Sequence, residues 1–176
     1  DTIGDLFIAD GLIVDSCTPD DVIDCGGKCL APGIVDIGVK VSEPGERHKE
    51  SFASAGRAAV AGGITTIVTR PDTDPAIDTP EVLEFVERRA AIDAAVNVLP
   101  MAALTKGRLG CEMTEIGFLM DAGAVAFTDC DRVITDTKVF SRALTYAKSC
   151  GALVIGHVQE PGLSADGSVN AGKFAA

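Results

Sequence analysis

Apolar residues fall along this chain in short runs of two periods, and the switches between them outline the elements. Leu6-Phe7-Ile8-Ala9 and Leu12-Ile13-Val14 flank Asp10-Gly11. That spacing predicts a hairpin, because Gly readily takes the positive φ of a two-residue turn. A second, shorter β pattern, Asp21–Cys25, runs into Gly26-Gly27-Lys28-Cys29-Leu30. From Leu30 onward strands and helices alternate. A strand at about 33–41 precedes an Ala-rich helix through Ser51–Ala61, closed by Gly62-Gly63. Ile64–Thr69 is a β-branched strand. Thr79-Pro80-Glu81 opens a helix to about Ala91, with Thr as N-cap, Pro at the first helical position and an acid in the first turn. Val96–Met101 is the next strand, followed by a helix near Glu112–Ala122 and a strand at Ala124–Phe127. Asp136–Ser149 is a helix closed by Gly151, and Ala152–His157 is the fifth strand of this series.

Repeated βα units of roughly 25 to 35 residues predict an α/β fold, either a doubly wound sheet or a (β/α)8 barrel. The 176 residues are 47% hydrophobic, mostly Ala, Val, Ile and Leu, which suits parallel strands covered on both faces. Five such strands fit, whereas a barrel of eight takes about 250 residues. The pattern breaks off at Gly172–Ala176, so the sequence reads as an internal fragment. Residues 1–30 read as part of an N-terminal β module, and 31–176 as the first five βα units.

Mean hydropathy is high at +0.27, yet no apolar run approaches the ~20 residues that span a bilayer. No basic n-region or apolar h-region opens the chain, so a cytoplasmic location without membrane contact is expected. A net charge of −11 argues against nucleic acid as a partner, since phosphate contacts need clustered Lys and Arg. The acids are dispersed, as on an ordinary solvated surface. The cysteines, Cys17, Cys25, Cys29, Cys111, Cys130 and Cys150, contain no Cys-x-x-Cys pair and are expected reduced and buried. Cys25-x-x-x-Cys29 lacks the second ligand pair of a metal clip. Gly26-Gly27 and Gly62-Gly63 lack the Gly-Lys-Ser/Thr of a phosphate loop.

The most informative stretch is Ala31-Pro32-Gly33-Ile34-Val35-Asp36-Ile37-Gly38-Val39-Lys40-Val41-Ser42-Glu43-Pro44-Gly45. With His48-Lys49-Glu50, Ala61–Thr66, Arg70–Pro75, Ala126–Asp129 and Gly156–Glu160, it resembles the dihydroorotase branch of the metal-dependent amidohydrolase superfamily over almost the whole chain. The resemblance implies part of a (β/α)8 TIM-type barrel with part of a small flanking β module. It also implies where chemistry would sit. The family's first strand ends in His-x-His, both imidazoles binding a catalytic metal; here those positions are Gly38 and Lys40. Neither a hydrogen atom nor an ammonium coordinates a metal. The family Arg that grips the substrate carboxylate matches Ser42, and the Asn of its Met-Pro-Asn-Thr segment matches Asp72. Its Ser/Thr-Asp-Asp-Gly segment appears as Thr128-Asp129-Cys130-Asp131, and His157 is the one surviving candidate ligand.

Each survivor also has a structural reading. One imidazole with at most one acid is too few for a tight metal site, so His157 is expected as a hydrogen-bonded histidine. His48 is expected to be solvated. Lys40 could serve as a Schiff-base or general-base lysine, or its ammonium could replace lost metal charge against Asp129 or its neighbours. The expectation here is a Lys40–Asp129 salt bridge. Asp72-Thr73-Asp74 and Glu112 could form paired carboxylates of the glycosidase type, although carboxylates before a helix start commonly serve local turns.

No cofactor and no metal are expected. Degenerate relatives in this family are non-catalytic partners of aspartate transcarbamoylase, so the resemblance implies a structural role beside that enzyme in pyrimidine biosynthesis. A homo-oligomeric state is expected, because five parallel strands leave edges unpaired. The competing expectation is an active cyclic-amide hydrolase, of dihydroorotase, hydantoinase or allantoinase type, with zinc in a reduced site. A third is a small-molecule binding module.

Overall fold

Asp10 and Gly11 take φ of 51° and 75°, the turn conformation that matches the twist of paired strands. Strand β1 (Phe7–Ala9) accordingly runs antiparallel to β2 (Leu12–Val14), with Ile8 opposite Ile13. The computed structural model describes residues 4–164 and 167, and the chain divides into two compact units, Asp1–Pro32 and Gly33–Ala176. In the first unit the segment 21–25 does not form the expected strand. Val22 and Ile23 are 77% and 85% exposed, so no buried face fixes a register. Cys25 instead opens a turn in which the Lys28 N–H donates to its carbonyl at 2.8 Å.

The second unit is a mixed α/β structure. Strand β3 (Ile34–Val39) pairs in parallel with β4 (Ile64–Thr69), which pairs in parallel with β5 (Asn97–Pro100). Beyond β5 the parallel order continues through single bridges, Ala102 to Phe127 and Phe127 to Val154. The expected strands at 124–127 and 152–157 are therefore reduced to these bridges. The Phe127 N–H donates to Leu153 and the Ile155 N–H to Phe127, both at 2.9 Å, before Gly156 interrupts the apolar run. The terminal segment Gly172–Ala176 lies outside the described residues.

Helix α1 (Phe52–Ala61) starts at Ser51, whose side chain accepts from the Ser54 N–H while the Ser54 hydroxyl accepts from the Ser51 N–H, a reciprocal cap. Helix α2 (Pro80–Asp93) has Thr79 as N-cap and Pro80 in its first turn. The helix expected near 112–122 shrinks to α3 (Ile116–Asp121), because the preceding residues are used in pairing: Met113 bridges Thr105, and the Lys106 N–H donates to Glu112. Helix α4 (Thr137–Cys150) is capped by the Asp136 carboxylate, which accepts from the Lys138 and Val139 N–H groups. Gly151 closes it in the left-handed conformation. A last turn, α5, covers Pro161–Ser164.

Strand alternation divides the apolar side chains between two faces. Ile67 enters the main core with Phe52, Leu83, Val86, Ile116 and Phe127. Val68, one residue on, packs against Met101 and Ala126. Each fully buried side chain of this size contributes about 1.5–3 kcal/mol, so the sheet-to-helix core is what fixes the ends of the strands in space. Of the cysteines only Cys150 packs against it, and none is buried. Cys25, Cys29 and Cys111 are exposed and Cys17, Cys130 and Cys150 half-buried, all unpaired, which corrects the expectation of buried thiols. Most sit in turns or loops rather than on inward-facing positions. No helix among the described residues is long and apolar enough to cross a membrane.

Candidate functional site

Most of the residues singled out by the sequence lie at or after the carboxyl ends of β3 and β4 and the bridges at Phe127 and Val154. Gly38 is the extra residue of a bulge. Ile37 pairs with Val68 and Val39 with Thr69, so Gly38 has no cross-strand partner, and it sits at φ +93°. Val39 and Val41 then pack on the helix-side core. Lys40, between them, reaches Asp72 Oδ2 with its Nζ at 3.0 Å while about half of its side chain stays exposed. The Asp72 carboxylate is only 4% exposed. Arg70 grips both its oxygens, Nε to Oδ1 at 3.2 Å and Nη2 to Oδ2 at 2.8 Å. Two cations thus neutralise one buried acid.

The partner expected for Lys40 is corrected by this geometry: it pairs with Asp72 and not with Asp129. Asp129 is buried and already held by neutral donors on both oxygens. Oδ1 accepts the backbone N–H groups of Leu104 and Thr105 at 3.0 Å each, and Oδ2 accepts the Thr105 hydroxyl. A carboxylate held by three donors has no need of an ammonium.

Around Asp129 the loop turns sharply. Cys130 sits at φ +58°, its N–H donating to the Thr128 hydroxyl at 3.0 Å. Burial pushes the Cys130 thiol pKa up, and the Asp72 charge adds to the rise; Arg70 and Arg108 oppose both. Asp131 accepts from Arg108 and lies 4.0 Å from Arg70. Burial works against its ionisation, but its backbone hydrogen bond and the charges of Arg108 and Arg70 hold it below the ordinary carboxylate range. Arg108 also donates from Nε and Nη2 to the Asp129 carbonyl, at 3.3 and 3.2 Å.

The other candidates stand apart from this cluster. Ser42 is buried, its carbonyl accepting from the Glu46 N–H at 2.8 Å. His157 is exposed, its Nε2 at 2.7 Å from the Gln159 side-chain oxygen. It shares with Asp129, Leu104 and Phe140 a small cavity of about 80 Å³. His48 is exposed, and Glu112 pairs with Lys106 rather than with Asp72 or Asp74. A larger groove of about 690 Å³ lies elsewhere, between α1, α2 and the amino ends of β4 and β5. Among the described residues Glu87 is the one charged side chain lining it, so it offers little for chemistry.

Sequence reasoning missed two residues that organise the cluster, Arg70 and Arg108. The signal for Arg70 was present: it stands where the Met-Pro-Asn-Thr segment has Met, two residues from the Asn-to-Asp change at Asp72. Two changes of opposite charge on one face of a strand end are a pairing pattern. Arg108 carries no such signal, because it approaches Asp131 from 23 residues away.

Residues 27–176 match the profile of the Dihydro-orotase-like family. The chain belongs to that family. A curated dihydroorotase from Endomicrobium trichonymphae is 41% identical over 175 residues, covering 98% of this chain and 42% of that protein. One from Sulfurihydrogenibium sp. (strain YO3AOP1) is 42% identical over 156 residues, covering 89% of this chain and 37% of that protein. The chain thus spans about two-fifths of the length of these curated relatives. In structure it is similar to the L-hydantoinase (dihydropyrimidinase) from Arthrobacter aurescens, with a TM-score of 0.60 at 24% identity over 72% of this chain and 29% of that one. At that identity the likeness bears on the fold alone.

The metal that the dihydroorotase resemblance implies can be tested against the donors present. Gly38 has no side chain, and Lys40 brings a cation already committed to Asp72. Asp129 has its oxygens occupied, and the His157 Nε2 is engaged by Gln159. Among the described residues no group of three or more His, Cys, Asp or Glu is placed to hold a metal ion. This donor set does not fit a catalytic divalent cation, which needs at least three converging neutral or anionic ligands.

Proposed function

We propose that this is a dihydroorotase-like protein with a degenerate metal site, part of a (β/α)8 barrel, that acts without catalysis as a structural partner of aspartate transcarbamoylase in cytoplasmic pyrimidine biosynthesis. One observation supports it above the rest: at the strand ends where family members hold metal, Lys40 and Arg70 neutralise Asp72. A cation-rich trio of this kind repels a dication and provides no activated water. Positions Gly38 and Ser42 likewise lack the ligand and the carboxylate grip expected of a working hydrolase. The partner and the oligomeric assembly come from the family resemblance.

A second reading has its own support. About 40% identity to curated dihydroorotases, and the cavity shared by Asp129 and His157, favour an active cyclic-amide hydrolase with a reduced zinc site. Zinc content of the purified full-length protein, measured beside a dihydroorotate assay and co-purification with aspartate transcarbamoylase, decides between them. The structural reading expects no stoichiometric zinc, no turnover and a stable complex. Stoichiometric zinc with turnover overturns it in favour of the hydrolase.

A further inference from the structure

The cluster at the strand ends is ordered by charge. Lys40 follows β3, Asp72 and Arg70 follow β4, Arg108 follows β5, and Asp131 follows the bridge at Phe127. Contacts run Lys40 to Asp72, Asp72 to Arg70, Arg70 to Asp131 and Asp131 to Arg108. Signs alternate along the whole series. We propose that this belt takes the place of a metal as the cross-link between successive strand-end loops, and that the Gly38 bulge prevents imidazoles at positions 38 and 40 from rebuilding a metal centre. The inference rests on the metal-free reading above and adds what replaces the metal and why the replacement is locked in.

Two physical arguments support it. The first is mutual dependence. A carboxylate as buried as Asp72 is costly unless paired, and a bidentate guanidinium is the strongest side-chain partner for it. Removing Arg70 alone leaves that acid with the half-exposed Lys40, and removing Asp72 alone leaves two adjacent cations. Removing both together costs less than the two losses added, because no buried charge is left uncompensated and the half-exposed Lys40 ammonium is solvated.

The second concerns the backbone. At φ +93° an L side chain is strained whatever space surrounds it. Among the described residues a Cβ on Gly38 would meet nothing within 4 Å, so crowding is not the obstacle. An imidazole there must either carry the strain or pull the bulge back into regular register. The second course moves Val39 off its pairing with Thr69 and off the core.

The test uses the full-length protein and follows thermal unfolding. Arg70→Met and Asp72→Asn should each lower Tm by about 4 °C, and the double variant by clearly less than the sum. Gly38→Ala should lower Tm by about 2–4 °C although its methyl group touches none of the described residues. Equilibrium dialysis of Gly38→His/Lys40→His against zinc should show no stoichiometric binding. Additive losses in the cycle, an unchanged Tm for Gly38→Ala, or one zinc per chain on the His/His variant overturns the inference. Should the His/His variant fail to fold, the cycle and Gly38→Ala still decide it. Stoichiometric zinc on the unsubstituted chain is a different result: it overturns the metal-free reading itself, and is distinguished by appearing without any substitution.

Discussion

Thr105 holds Asp129 from two sides, its backbone N–H donating to Oδ1 at 3.0 Å and its hydroxyl to Oδ2. The same hydroxyl accepts from the Gly110 N–H at 2.9 Å, which fixes its direction. Asp129 therefore acts as the capping group of the loop after β5, whatever its counterpart does in relatives. Asp129→Asn keeps one acceptor oxygen but turns an NH2 toward a hydroxyl that must itself donate. The expected loss is about 1–3 kcal/mol of stability, since a buried donor is left without a partner. Asp129→Ala should cost more, because the Leu104 and Thr105 N–H groups are then both orphaned. Urea unfolding checks both, and a neutral Asp129→Asn would show that the loop is held by other contacts.

Thr69 presents the opposite case. Its hydroxyl oxygen is buried at the end of β4 with no hydrogen-bond partner among the described residues. Thr69→Val keeps the shape of the side chain and removes the orphan, so stability should rise by about 1 kcal/mol. A destabilised Thr69→Val, read by the shift in the denaturation midpoint at unchanged m, would mean that the hydroxyl has a partner after all.

These two threonines show how far the sequence is legible. Period and punctuation locate the hairpin at Asp10-Gly11, the helix start at Thr79-Pro80 and the αL stop at Gly151, because each is a local steric or capping demand. The short edge elements were misread. Residues 21–25 and 152–157 carry the apolar runs of strands but bury too little to make one. At the site, local pattern fixes which residues follow the strand ends, and long-range contact decides which pair. Asp129 needs no cation because Leu104 and Thr105, from another loop, reach it first. Nothing near position 129 in the sequence announces those donors. Lys40 is free for Asp72 for the same reason.

Glu43 ties the loop after β3 to two helices. Its carboxylate is 4% exposed, accepting from the Phe52 N–H at 3.2 Å and from Arg89 Nε at 3.1 Å. Arg47 lies 3.5 Å from the same carboxylate but is largely exposed and screened. Glu43→Ala leaves Arg89 with Asp93, so its charge is not stranded. The loss should be about 2–3 kcal/mol, below the full cost of a broken buried pair. Glu43→Gln, which can still accept from Phe52, should lose roughly half as much by the same reasoning. Equal losses for the two variants in chemical denaturation would assign the whole effect to Arg89.

The thiol of Cys130 reports on the charge belt directly. Burial raises its pKa and the Asp72 charge raises it further, while Arg70 and Arg108 pull it down. Only the thiolate is alkylated, so at mildly basic pH Cys130 should react with iodoacetamide more slowly than the exposed Cys25 and Cys111. Its rate should climb only above the ordinary thiol value of about 8.5. The sign of each substitution follows from the charges. Asp72→Asn removes a negative charge and should move the Cys130 rate profile to lower pH. Arg70→Met removes a positive one and should move it to higher pH. Mass-spectrometric labelling of the native protein across the pH range resolves the individual thiols. A Cys130 profile that superimposes on those of Cys25 and Cys111, and that neither substitution shifts, would place the thiol outside the field of Arg70 and Asp72.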